Sequence, residues 1–231
     1  MELKPWYPSD YRHALKNILT SSEVNHFLNK PDCGPRFVYG PLMLPTVLRY
    51  HIHMNQHIDI SKTMTQATLH GYRLCKFADS SPPVIIRSTD PQSVVQGMLI
   101  FGLNNEQRNA IYDFEAGLMD LCSVQVDIWQ WDDEYSRSVR TVDGVGAFQW
   151  NSSSEGLTPL EATSWSVDDF LESAFYDHVR HSQMALEAEE KLPASVQLEE
   201  EVDPPHSSEQ HLSPRRDRGR FRSPLDDIPE M

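Results

Sequence analysis

Two short segments of the chain carry residues able to do chemistry. Phe37-Val38-Tyr39-Gly40-Pro41-Leu42-Met43 is an apolar run broken by a glycine and a proline, with Pro45 close behind. It reads as a buried strand that stops abruptly, a tight loop, and a helix with Pro45 near its first position, where a missing N–H costs little. Such loops leave backbone N–H groups facing a cleft, where they can hold an anion or polarise a carbonyl. Downstream, Asp113-Phe114-Glu115-Ala116-Gly117 supplies two carboxylates. A helix ending here has a narrow apolar stripe of Ala110, Ile111 and Phe114, flanked by Asp113 on one side and Glu115 on the other. Spacing therefore leaves both open as a proton carrier. In the last helical turn the partial negative end of the helix raises the pKa of Glu115, which suits a base working near neutral pH.

Other reactive residue types do not assemble into a pattern. His51, His53 and His57 suggest a metal, but residues two apart on a helix do not share a face. No neighbouring carboxylate or cysteine completes a tetrahedral set, and no metal or other cofactor is expected. Cys33, Cys75 and Cys122 are odd in number, widely spaced and in no C-x-x-C pattern, so reduced thiols are the simplest reading. Cys75 and Cys122 read as small buried hydrophobes. Trp129, Trp131, Phe148 and Trp150 read as cross-strand packing rather than a base-stacking platform.

The elements that must position these residues follow from periodicity. Strands are expected over residues 36–39, 67–77, 84–86, 94–103, 123–131 and 146–150. Val124, Val126 and Ile128 alternate with Gln125 and Asp127, as in a strand with one wetter face. Helices are expected over 46–53, over 105–115 with Asn104 as N-cap, Gln107 three residues on and Gly117 as terminator, and from Ser166 toward Glu187. Two short helices, capped by Ser9 and Ser22, precede Pro31 and Pro35. Residues 132–145 read as a long, polar, mobile loop. This gives an N-terminal helical extension over 1–35, a compact domain over 36–186 and a disordered tail over 187–231, where prolines, serines and glutamates dominate. In the tail, an arginine cluster at 215, 216, 218, 220 and 222 reads as a solvated stretch, with a localisation or phosphorylation signal as the sharper alternative.

At 231 residues and 39% hydrophobic content the chain can bury one good core. A formal charge of −14 argues against nonspecific binding to nucleic acid or to anionic membranes. No signal peptide or membrane span is read, and a cytoplasmic or nucleocytoplasmic location is expected.

Five segments in order resemble the γ-glutamylcyclotransferase-like family, avirulence-induced-gene-like branch. Residues 37–43 resemble its YG(T/S)LM loop, Ala67-Thr68-Leu69-His70-Gly71-Tyr72 its A-x-L-x-G-Y strand, and residues 94–103 its V-x-G-x-L-x-x-x-L strand. Tyr112-Asp113-Phe114-Glu115 resembles its L-D-x-F-E helix end, and Ala147-Phe148-Gln149-Trp150 its late aromatic strand. The resemblance implies an α+β fold, a small mixed β-barrel with flanking helices. It also implies conversion of a small γ-glutamyl compound to 5-oxoproline plus free amine. In that scheme the substrate's own amine attacks and Glu115 is the general acid/base. Tyr39, Gly40, Pro41, Leu42, Met43 and Tyr72 bind the substrate. Pro41 stands where the family has Thr or Ser, and Met119 and Leu121 stand where it often has Tyr and Arg. These departures keep open an alternative, a non-catalytic binding or regulatory module that retains the cavity. An anionic substrate would need a positive patch, from Arg36, Arg73 or Arg87.

Overall fold

The computed structural model describes residues 1–55, 57–77, 82–115, 119–132, 136–151 and 154–190, with side chains through 185. Its centre is a closed five-stranded barrel of β1 (Arg36–Val38), β5 (Val94–Ile100), β2 (Met64–His70), β6 (Met119–Trp131) and β7 (Arg137–Trp150), in that spatial order. Four neighbouring pairs are antiparallel; β1 and β7 close the ring in parallel, with Phe37 opposite Ala147. The barrel is therefore mixed, as the motif order implies. A second sheet, ordered β4 (Val84–Arg87), β3 (Tyr72–Lys76), β8 (Thr158–Pro159), lies against it.

The barrel interior is filled by Phe37, Ala67, Leu69, Val95, Leu99, Val126, Ile128, Val145 and Ala147. On β6 the buried positions alternate as the sequence pattern requires, with Val124, Val126 and Ile128 inward and Ser123 and Gln125 outward. Gly97 is there for closeness: a Cβ on it would stand 2.4 Å from the Val38 carbonyl oxygen and 2.6 Å from Phe37 Cζ.

Helices cover the barrel's other side. α1 (Ser9–Lys16) and α3 (Pro45–His51) are tied by Asp10, which accepts from Thr46 Oγ1 at 2.6 Å and pairs with Arg49 at 3.3 Å. Tyr7, Tyr11, Ala14 and Leu15 share one core with Leu42, Leu48, Met64, Ile111 and Val179, so the first helix packs directly on the strands that follow it. α4 (Asn105–Glu115) begins at the expected capping box: Gln107 N donates to Asn104 Oδ1 at 2.9 Å, and Asn104 N to Gln107 Oε1 at 3.0 Å.

The structure corrects six local expectations. Residues 67–77 are not one strand: Gly71, at φ +75°, turns the chain out of the barrel, and β2 and β3 enter different sheets. Residues 132–145 are not a loop over most of their length. β7 starts at Arg137 and pairs with β6 to Trp131, so long-range pairing makes a strand of a polar segment. The cap of α2 (Ser21–Leu28) is Thr20 rather than Ser22, in a reciprocal box with Glu23. Ser9 lies inside α1, whose N-cap Pro8 gives no side-chain cap. The helix expected from Ser166 is two helices, α5 (Asp168–Leu171) and α6 (Ala174–Glu190), and α6 runs past residue 187 into the segment expected to be disordered. Gly117, the arginine cluster and the tail from 191 onward lie outside the described residues.

Candidate active site

β1 ends at Val38 and delivers Tyr39 to the barrel wall. Its ring is buried at 9% exposure beside Phe37, and its hydroxyl donates to the Phe148 carbonyl on β7 at 2.7 Å. The Met119 sulfur lies 3.3 Å from the same oxygen, and the Ile85 backbone N–H approaches it. The residue that replaces the family's tyrosine thus packs against the tyrosine the chain retains. Tyr39's hydroxyl proton is committed to the fold; burial raises its pKa first, and the nearby Glu115 charge adds to that.

Glu115 closes α4. Part of its surface stays open to solvent, but its carboxyl lies deep among protein atoms, and burial pushes its pKa up to about 7. Desolvation is the cause, not the helix end invoked from sequence. No hydrogen bond or ion pair reaches the carboxyl among the described residues. Asp113, the other candidate carrier, is exposed and lines a different cleft with His51, His53, Glu106 and Asn109. The structure therefore separates the two carboxylates that spacing left equivalent.

The Gly40–Met43 segment that follows Tyr39 is a 3-10 turn. Gly40 needs its glycine: φ is +66°, and a Cβ would meet the Pro83 ring at 3.2 Å. Leu42 and Met43 are buried in the helical core, and their backbone N–H groups are used by the 3-10 turn itself. Pro41 has no N–H to give. Tyr72 is also buried, at 4%, but it faces a second cleft of about 750 Å³ with His70, Arg87, Ser123, Asp127 and Thr141.

The three arginines raised from sequence part company. Arg36 folds back on the Pro35 carbonyl and against Gly146. Arg73 lies beside Cys75. Arg87 alone reaches a predicted site residue, its guanidinium 5.5 Å from the Tyr72 ring centre. Sequence reasoning missed Ile85 at the site, and read Met119 as a departure from the family pattern, Phe148 as cross-strand packing and Cys122 as a small buried hydrophobe.

His51 is a core histidine. Its ring lies 3.9 Å from Phe114 and 6.1 Å from Phe175, and burial lowers its pKa to about 4. Among the described residues, no group of three or more His, Cys, Asp or Glu side chains is placed to hold a metal. No helix among them is long and apolar enough to cross a membrane.

Solved structures of similar shape include two Arabidopsis thaliana proteins studied in solution. One is 21% identical with a TM-score of 0.42, over 78% of this chain and 98% of the other. The second is 15% identical with a TM-score of 0.41, over 71% and 97%. An AIG2-like protein from Mus musculus is 14% identical with a TM-score of 0.34, over 59% and 90%. No curated protein matches the chain by sequence. The family model described as gamma-glutamyl cyclotransferase, AIG2-like, matches residues 36–167, more than half of the chain and all seven strands from β1 to β7. On that match, the chain belongs to the AIG2-like gamma-glutamyl cyclotransferase family.

Proposed function

We propose that this protein is a cyclotransferase that converts a small γ-glutamyl compound to 5-oxoproline and a free amine, with Glu115 as the general acid/base. The observation that carries the reading is the Glu115 carboxyl: enclosed, without a protein partner among the described residues, next to Tyr39, and with a pKa of about 7. A carboxylate in that state is part ionised at neutral pH and can both accept and return a proton. The substrate's α-ammonium gives a proton to Glu115, and the freed amine attacks the γ-carbonyl carbon. The tetrahedral intermediate then collapses as the bond to the leaving nitrogen breaks and Glu115 returns the proton to that nitrogen. Glu115 next takes the second proton from the ring nitrogen and passes it to the released amine, which leaves a neutral lactam and an ammonium. The chemistry is an intramolecular acyl transfer that needs no nucleophile from the protein and no cofactor. The Gly40 N–H is the donor assigned to the developing oxyanion, since the N–H groups of Leu42 and Met43 are engaged in the bonds of the 3-10 turn. Tyr39 positions this assembly by pinning the loop to β7.

The alternative, a binding module without turnover, is favoured by one observation: Glu115 has no cation beside it among the described residues, its pKa shift arising from burial alone. Release of 5-oxoproline from a panel of γ-glutamyl compounds separates the two. Turnover is expected, and it should fall by about a hundredfold or more in Glu115→Gln, the usual range for losing a positioned acid/base. Turnover that survives the substitution would exclude Glu115 as the carrier. No turnover on any compound, with a compound still raising the melting temperature, would select the binding module.

A further inference from the structure

The arm built from β6 and the first half of β7 leaves one strand edge unused. β7 pairs with β1 only at Gly146 and Ala147, so residues 137–145 have β6 on one side and no strand on the other. Among the described residues, no hydrogen bond reaches the backbone along this edge.

The hairpin's own bonding fixes which groups face outward. Asp132 N donates to the Ser136 carbonyl at 2.9 Å, which makes that pair a hydrogen-bonded one, and antiparallel pairs alternate from there. Ser138, Arg140 and Val142 therefore bond to β6, opposite Gln130, Ile128 and Val126. Arg137, Val139 and Thr141 aim both N–H and C=O at the open edge. The space around it is clear: Val139 is 54% exposed, and a Cβ on Gly144 would meet nothing within 4 Å.

An open edge associates with another strand unless something blunts it. No proline interrupts this one, and its bulge, at Asp143 and Gly144, comes only at the end. Its charges are ordered rather than scattered. Arg137 lies over Trp129 and Trp131, Thr141 bonds to Asp127, and Asp143 bonds to Gln125. Those β6 residues alternate to one face, so Arg137, Val139, Thr141 and Asp143 share it too. Along the edge that face reads cation, two β-branched residues, anion. An antiparallel copy reads in the reverse order.

The strand is thus complementary to itself about Arg140. In that register Val139 stands opposite Thr141 and exchanges backbone bonds with it, and Arg137 stands opposite Asp143, each pair occurring twice by symmetry. Centring the pair one residue to either side loses both charge pairs. Trp129, 48% exposed and directly across β7 from Val139, lies beside the new ladder as apolar surface. The one adverse contact is Arg140 against its own copy on the other face, where like charges repel.

We propose that two copies of the chain associate through antiparallel pairing of residues 137–143, joining their β6–β7 arms into one continuous sheet. Sedimentation equilibrium of the full-length protein should show a monomer–dimer equilibrium. Arg137→Asp and Asp143→Arg should each weaken the dimer tenfold or more, since each sets like charges opposite at both ends. Mixing the two variants should restore association, because every end of the mixed pair is again cation against anion. Arg140→Gln should tighten the dimer by removing the central repulsion. Val139→Pro should abolish it with little change in melting temperature, since β6 does not use that N–H. A protein that stays monomeric at every concentration, a dimer indifferent to Val139→Pro, or charge variants that fail to recover on mixing would each overturn the proposal.

Discussion

Glu115→Gln should make the protein more stable above neutral pH while it disables the chemistry. Glu115 has an ordinary pKa of 4.5 when unfolded and about 7 when folded. Between those values the folded state holds a proton that the unfolded state has released, so this group's contribution to stability falls as pH rises from 4.5 to 7. At about 1.4 kcal/mol per pH unit, and allowing for the solvent that still reaches part of the side chain, the ionised carboxylate costs about 2–3 kcal/mol at pH 8. Glutamine carries no charge at any pH, so that cost disappears in the variant. His51 works in the opposite direction. It folds with a pKa of about 4 against an ordinary 6.5, so its contribution is complete above pH 6.5 and is lost as pH falls toward 4. In the wild type the two slopes largely cancel across the shared window. The variant exposes the histidine slope alone. Urea unfolding of both proteins at pH 4.5, 6, 7 and 8 measures this. The variant's advantage should be smallest at pH 4.5 and grow by about 2–3 kcal/mol by pH 8, roughly 5–10 °C in melting temperature for a domain of this size. A constant offset from isosteric replacement does not matter; only its growth with pH is at issue. An advantage that stays flat from pH 4.5 to 8 would refute the enclosed, raised-pKa carboxyl and with it the physical basis for the acid/base role.

Two further outcomes test the frame around the site. Gly97→Ala should cost about 3 kcal/mol or more in urea unfolding, because its Cβ would meet the Val38 carbonyl and the Phe37 ring. A cost under about 1 kcal/mol would mean β1 and β5 are not so closely apposed. Thr20→Ala removes the cap of α2 and should cost about 1 kcal/mol without altering turnover. A normal melting temperature in that variant would show the reciprocal box with Glu23 to be unimportant.

What could be read from sequence was whatever short-range chemistry dictates. The Asn104–Gln107 box marks the start of α4, Pro45 marks the start of α3, and the valine–isoleucine alternation marks the inward face of β6. What could not be read depends on partners far along the chain. Residues 137–145 look like loop because their side chains are mostly polar, yet all but Asp143 and Gly144, at a bulge, pair with β6 in an arm whose outer face is wet. Gly71 sits inside a continuous β-prone run, and only the left-handed turn shows that the run divides between two sheets. At the site, spacing offered Asp113 and Glu115 on equal terms. Burial of one and exposure of the other is a property of how α4 docks, to which the helix sequence alone is blind. Tyr39 was left between a ligand role and a packing role, and its bond to the Phe148 carbonyl, 109 residues away, is the kind of contact no local pattern encodes.

The parallel pairing of β1 with β7 also bears on how the chain comes to be folded. Parallel neighbours cannot be joined by a hairpin, and here the crossover between them is nearly the whole domain. During synthesis β1 emerges early, yet its partner leaves the ribosome only after every other barrel strand has been made. Until then Arg36, Phe37 and Val38 can pair with β5 on one side while their other side stays an open edge. Closure must therefore come late and carry a large loop-entropy cost, which places this fold among slow, high-contact-order folders. The nascent chain has an interval in which an unsealed strand edge is available to other chains, and shielding it in that interval is a task for chaperones rather than for the finished fold.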